Sequence, residues 1–322
     1  MRRLIMASLI CLLVLTSCSR VQHSKPMAKY NKDHAQTIKI GYLPITHAAN
    51  LMMTKQIEQQ SPNSKYHLEL VKFNNWPDLM DALNSGRIDG ASTLIELAMK
   101  AKQKGANIKA VALGHHEGNV IMGQKNKDVS DFHNNTSYSF AIPHRYSTHY
   151  LLLEEMRKQL KLKKHTFDYH EMSPAEMPAA LSEQRISGYS VAEPFGAIGT
   201  ALGKGQVLKH GDEVLPDAYC CVLVLRGEIL QQRHLAQAFT TDYKQAGFKM
   251  NDKQQSVDIM TKYFKQKPKI LKQSAAWTSY GDLSIRASGY NKIAKLVNEH
   301  HLFNTPDYDD FVAPSFYKEA RK

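Results

Sequence analysis

Apolar and polar residues alternate along Thr37-Ile38-Lys39-Ile40-Gly41-Tyr42-Leu43, which predicts a β-strand. Pro44-Ile45-Thr46-His47 turns out of it, and Ala48 to Gln59 continues at helical spacing. No acid stands in that helix's first turn, so its positive end is not neutralised locally. Tyr66 to Phe73 reads as a second strand, Trp76-Pro77 opens a helix over Asp78 to Ser85, and Gly86-Arg87 ends it before a short strand, Ile88 to Ser92. Thr93-Leu94-Ile95-Glu96 fits a capping box for a helix through Lys102; this accounts for Thr93 and leaves Ser92 free to meet a ligand. Ile108 to Leu113 is a further strand, and Val120 to Gln124 reads as a strand leading out of this series.

The pattern then begins again. Ser137 to Ile142 is a strand, Pro143 to Thr148 a turn, His149 to Leu160 a helix and Phe167 to Met172 a strand; Ser173-Pro174 opens the next helix. The apolar run Ile186 to Ala192 ends at Glu193, followed by Pro194-Phe195-Gly196 at a helix start with Pro194 in its first position. Ala82-Leu83-Asn84-Ser85-Gly86-Arg87-Ile88-Asp89-Gly90 and Ala180-Leu181-Ser182-Glu183-Gln184-Arg185-Ile186-Ser187-Gly188 share alanine, leucine, arginine, isoleucine and glycine in register. The reading is two α/β lobes, each a βαβ series with a mainly parallel sheet. Ligands of such sheets sit beyond the carboxyl ends of the strands, which puts Glu193 at such an end, or makes it a helix N-cap. Val207 to Leu208 is a small strand, and Tyr219 to Leu225 returns the chain to the first lobe. From Leu230 onward helical spacing dominates, as a buttress for that lobe with no evident chemistry.

The amino terminus adds an address. Met1-Arg2-Arg3 is basic, Leu4 to Leu15 is apolar but too short to span a bilayer, and Leu15-Thr16-Ser17-Cys18 resembles a bacterial lipobox. The chain therefore divides into a signal peptide (1–17), a lipidated terminus at Cys18 with a flexible tether (18–36), a first lobe (37–125), a second lobe (126–220), and a return with carboxy-terminal helices (221–322). This predicts export and lipid anchoring on the outer face of the cell membrane. The net charge of +12 becomes +10 once Arg2 and Arg3 leave with the signal. Lysines are scattered rather than interleaved with aromatics, which argues against nucleic acid as a partner. With Cys11 in the signal and Cys18 lipidated, Cys220 and Cys221 remain; adjacent cysteines rarely pair, their spacing offers no zinc motif, and they read as small apolar strand residues.

With the lipobox, the paired lobes, Gly41-Tyr42-Leu43-Pro44 and Ala192-Glu193-Pro194-Phe195-Gly196 in hand, the chain resembles the nitrate/sulfonate/taurine group of substrate-binding proteins of ABC importers, from about Ile38 to past Arg226. The resemblance implies a type II periplasmic-binding-protein fold, two Rossmann-like lobes with a ligand cleft between them. It implies a monomer that captures a small solute and delivers it to a permease and ATPase, with no chemistry of its own and no cofactor. It places Pro44, Thr46, His47, Trp76, Ser92 and His115 of the first lobe at the cleft, and His144, Arg145, Ser147, Thr148 and Glu193 of the second. Arg145 and the helix starts suit an oxyanion while Glu193 suits an amine, so the expected ligand is a small anionic or zwitterionic organic solute. A thiamine-precursor pyrimidine is an alternative. A transition metal is another, since His47, His115, His116, His144 and His149 fall in or near cleft loops. Enzymes share the fold, and Cys220 with a cleft histidine is the pair to suspect in that case.

Overall fold

A computed structural model of the protein describes residues 35–320. The signal peptide, Cys18 and nearly all of the tether lie outside the described residues. The strands, in chain order, are β1 (Gln36–Tyr42), β2 (Tyr66–Lys72), β3 (Gly90–Leu94), β4 (Ile108–Leu113), β5 (His116–Glu117), β6 (Asn119–Gln124), β7 (Tyr138–Ile142), β8 (Phe167–Glu171), β9 (Gly188–Ala192), β10 (Gly205–His210), β11 (Cys221–Arg226) and β12 (Thr278–Ser279).

Two five-stranded sheets carry the fold, in the orders β2-β1-β3-β11-β4 and β10-β6-β9-β7-β8. In the first, β1 runs parallel to β2 and β3, and β11 lies antiparallel between β3 and β4. In the second, β7 runs parallel to β8 and β9, and β6 lies antiparallel between β9 and β10. Each sheet is thus a parallel trio, one antiparallel strand arriving from the other half of the chain (β11 or β6), and an outer strand running with the trio (β4 or β10). The placement of Val120 to Gln124 is corrected by this: β6 belongs to the second sheet, and the chain has crossed by Asn119.

The internal repeat marks how the crossing strands dock. Gly90 opens β3 and Gly188 opens β9. A methyl group on Gly90 would come within 2.5 Å of the Val224 carbonyl of β11, and one on Gly188 within 2.5 Å of the Met122 carbonyl of β6. The arginines follow helix ends of one design: Arg87 N–H reaches the Ala82 carbonyl at 3.0 Å past Gly86 (φ 74°), and Arg185 N–H reaches Ala180 at 2.9 Å past Gln184 (φ 59°).

Local expectations changed in three places. No capping box forms at Thr93: it belongs to β3, and the helix Ile95–Gln103 starts after Leu94 without a side-chain cap, freeing Glu96 to turn inward. Pro194 precedes the helix Phe195–Ala201 as its N-cap residue, after a cis Glu193–Pro194 bond. The carboxy-terminal helices do more than buttress one half. The helix Arg233–Lys249 packs on Ala49–Gln60 of the first half, while Pro268–Trp277 packs on Phe195–Ala201 of the second.

Candidate functional site

Four side chains from three distant segments meet in the interior. His47 follows β1, His115 follows β4, and Cys220 and Cys221 stand where the chain enters β11. They are 0%, 4%, 2% and 1% exposed, and one potential donor atom from each lies within 4.8 Å of all the others. Both cysteines are free. Their sulfurs are 3.8 Å apart, and His47 Nδ1 is 3.5 Å from Cys221 Sγ and 3.8 Å from Cys220 Sγ. A tetrahedral zinc ion with metal–sulfur and metal–nitrogen bonds of about 2.3 and 2.0 Å needs sulfur–sulfur edges of about 3.8 Å and sulfur–nitrogen edges of about 3.5 Å. The three edges among Cys220, Cys221 and His47 match these values, and a donor atom of His115 lies within 4.8 Å of all three.

The backbone selects the tautomer of each imidazole. Glu117 (φ 56°), the last residue of β5, and Gly118 (φ 80°) form a left-handed pair leading into β6. The Gly118 carbonyl faces His47 Nε2 at 3.2 Å, and the Glu117 carbonyl faces His115 Nδ1 at 2.6 Å. A carbonyl only accepts, so each facing nitrogen is the N–H and the other keeps its lone pair. The lone pair of His47 is on Nδ1, toward the thiols; that of His115 is on Nε2, buried and unpartnered. The rings stack with centroids 3.2 Å apart. Burial pushes the His47 imidazole well below its ordinary range and that of His115 down to about 3, so both are neutral, the form that binds a metal. Burial pushes the Cys221 thiol up, so a metal must displace its proton.

A polar frame joins the halves around this cluster. Thr148, opening the helix Thr148–Gln159, holds its hydroxyl 2.6 Å from Glu96 Oε1 and 2.9 Å from the Tyr219 carbonyl, so its single proton serves one of the two at a time. Burial raises the Glu96 carboxyl to about 8 against that hydrogen bond, and its Oε2 has no partner. Thr46 N–H donates to the Glu193 carbonyl at 2.7 Å, and Thr46 Oγ1 accepts from Thr278 Oγ1 at 3.0 Å. The Glu193 side chain accepts from Ser274 Oγ (2.7 Å) and Ala197 N–H (3.2 Å), and burial holds its carboxyl near 7.

The other expected site residues do not join the cluster. Ser147 caps its own helix, accepting from Tyr150 N–H and donating to the His144 carbonyl. Arg145 is exposed and lies over the Tyr150 ring at 4.3 Å. His144 Nδ1 accepts from Tyr146 N–H, and His116 Nε2 bonds the Asp282 carbonyl. Trp76 opens the helix Trp76–Asn84 with a buried, unpartnered Nε1; Ser92 is buried in β3 with an unpartnered hydroxyl; Pro44 is half-buried in its turn. Cys220, Cys221 and Glu96 carried no local signal, because their partners are far away in sequence. A cavity of about 870 Å³ opens beside the cluster, lined among others by His116, Glu117, Asn119, Thr148 and Tyr219.

A model of the NMT1-like family matches residues 31–262. A solved structure of the ligand-binding component of an ABC-type import system from Staphylococcus aureus, with zinc bound, is 75% identical, with a TM-score of 0.88 over 89% of this chain and 99% of that one. A relative from Escherichia coli strain K12 named for binding aliphatic sulfonates is 26% identical over 66% of this chain, a match spanning 64% of that relative's length. The periplasmic nitrate-binding protein of Synechocystis PCC 6803 shares the fold at 16% identity, with a TM-score of 0.77 over 89% of this chain and 88% of its own. These relatives are named as binding or import components, not as enzymes.

Proposed function

The chain belongs to the NMT1-like family, and from that premise we propose that it is the extracytoplasmic solute-binding component of an ABC importer whose cargo is a zinc-class divalent cation. Lipid attachment at Cys18 and delivery to a permease and ATPase belong to the same proposal. The observation that carries the metal reading is the donor set: two thiols and two neutral imidazoles, one donor atom of each within 4.8 Å of the others, each imidazole fixed by a backbone carbonyl. Mixed nitrogen and sulfur donors at this spacing suit zinc, with softer copper(I) as the nearest competitor. The zinc in the Staphylococcus aureus relative supports the choice.

The test is chelator-competition titration of zinc into the domain from Thr37 onward. The unaltered protein should bind one zinc per chain. Cys220→Ser and Cys221→Ser should each weaken binding by more than about a hundred-fold, beyond the effect of losing an outer-shell partner. No zinc binding, or equal affinity in the double cysteine variant, would overturn the proposal. A second reading rests on the adjoining cavity of about 870 Å³, roomy enough for an organic anion or zwitterion such as a sulfonate. A thermal-shift screen separates the two: stabilisation by taurine or alkanesulfonates with no response to metals favours the organic solute.

A further inference from the structure

The four clustered donors all belong to the first half of the fold: the segment after β1, the segment after β4, and the entry to β11. A binding protein that closes around cargo needs something in the second half that responds to the cargo. His149 is placed to be that group. It is the second residue of the helix Thr148–Gln159, it is 1% exposed, and neither of its ring nitrogens has a hydrogen-bond partner. Buried imidazoles are ordinarily hydrogen-bonded on at least one nitrogen. His149 stands outside the group of four close donor atoms, yet near enough to His47 and His115 for its charge to act on both. The preceding residue, Thr148, bonds the carbonyl of Tyr219, which immediately precedes the cysteine pair.

We propose that His149 is the second half's ligand to the metal, adding a third imidazole to the coordination sphere once the ion is seated. The inference rests on the metal reading above. The step is a dative bond from a neutral nitrogen: no proton moves at His149, and zinc accommodates a fifth donor. Cargo would then be captured on the first half and sensed by the second through one side chain.

The test uses the mature chain with zinc alone, in the unaltered protein and in the His149→Gln and His149→Ala variants. X-ray absorption at the zinc edge should report two sulfurs and three imidazoles in the unaltered protein, and two of each in His149→Gln. Zinc affinity should fall about ten- to a hundred-fold, and zinc-induced compaction in small-angle scattering should disappear. Free imidazole added to His149→Ala should restore the third nitrogen, which a merely structural role would not allow. Matched melting of the metal-free variants guards against a folding defect. Two imidazoles in the unaltered protein, or unchanged affinity and compaction in His149→Gln, overturns the role of His149 while leaving the four-donor site standing. Failure of the unaltered protein to bind zinc overturns both.

Discussion

At Glu117 and Gly118 the chain spends two left-handed residues to aim two carbonyls at two imidazoles. A methyl group at Gly118 would come within 2.6 Å of Thr278 Oγ1 and 3.2 Å of His47 Nε2. Gly118→Ala should therefore misalign His47 and lower zinc affinity about ten- to a hundred-fold, the range for loss of an outer-shell partner; competition titration reads this directly. The buried ionisable groups also set the acid–base behaviour of the metal-free protein. Burial lowers His47, His115 and His149, so as pH falls below 6.5 the unfolded chain takes up protons that the fold refuses, and stability drops. Burial raises Glu96 to about 8 and Glu193 to about 7, so above 4.5 the fold keeps protons that the unfolded chain sheds, and stability falls as pH climbs through those values. Between 4.5 and 6.5 these three histidines outweigh the two glutamates; above 6.5 the glutamates govern the trend, and the raised Cys221 thiol adds to it in alkaline solution. The melting temperature of the metal-free protein should peak near pH 6.5, and a maximum above pH 8 would contradict this account. His47, His115 and Glu193 were readable as site candidates from their turns. Cys220 and Cys221 read as strand apolars because an adjacent pair has no metal spacing of its own, and its partners become visible only once β1, β4 and β11 share a sheet. Glu96 was hidden by a capping-box pattern that its helix does not use.

The elements repeat more closely than their residues do. Gly90 and Gly188 each accept the carbonyl of an antiparallel strand arriving from the other half, at a spacing no side chain permits. Gly188→Ala should cost about 1–3 kcal/mol of stability by overpacking, read as a lower denaturation midpoint with an unchanged transition slope. The repeat was legible in the sequence because helix end, glycine and short strand are local in the chain. The identity of the crossing strands was not. Val120 to Gln124 shows the same apolar pattern whichever sheet it joins, and only its pairing with β9 and β10 decides. The reach of the helix Pro268–Trp277 to the second half, where Ser274 bonds Glu193, was invisible for the same reason.

Over the whole molecule, a chain of net charge +12 presents a mixed-charge cavity beside the cluster, with the carboxylates of Glu117, Asp212, Asp217 and Asp282 against Arg286 and Lys292. A locally acidic mouth draws a cation toward a protein that otherwise repels it, and the effect weakens with salt. Zinc at a hundred times its dissociation constant should stabilise the fold by about 2.7 kcal/mol, and alkanesulfonates should not. The burial of His47 at 0% and His115 at 4% carries one more consequence. No chelator in solution can touch an ion seated behind those rings, so the ion leaves only after the halves part. Its departure is then a clock set by opening: the rate of zinc loss should level off as chelator concentration rises, and the plateau is the opening rate itself. A rate that kept climbing in proportion to chelator would mean the ion is never truly enclosed.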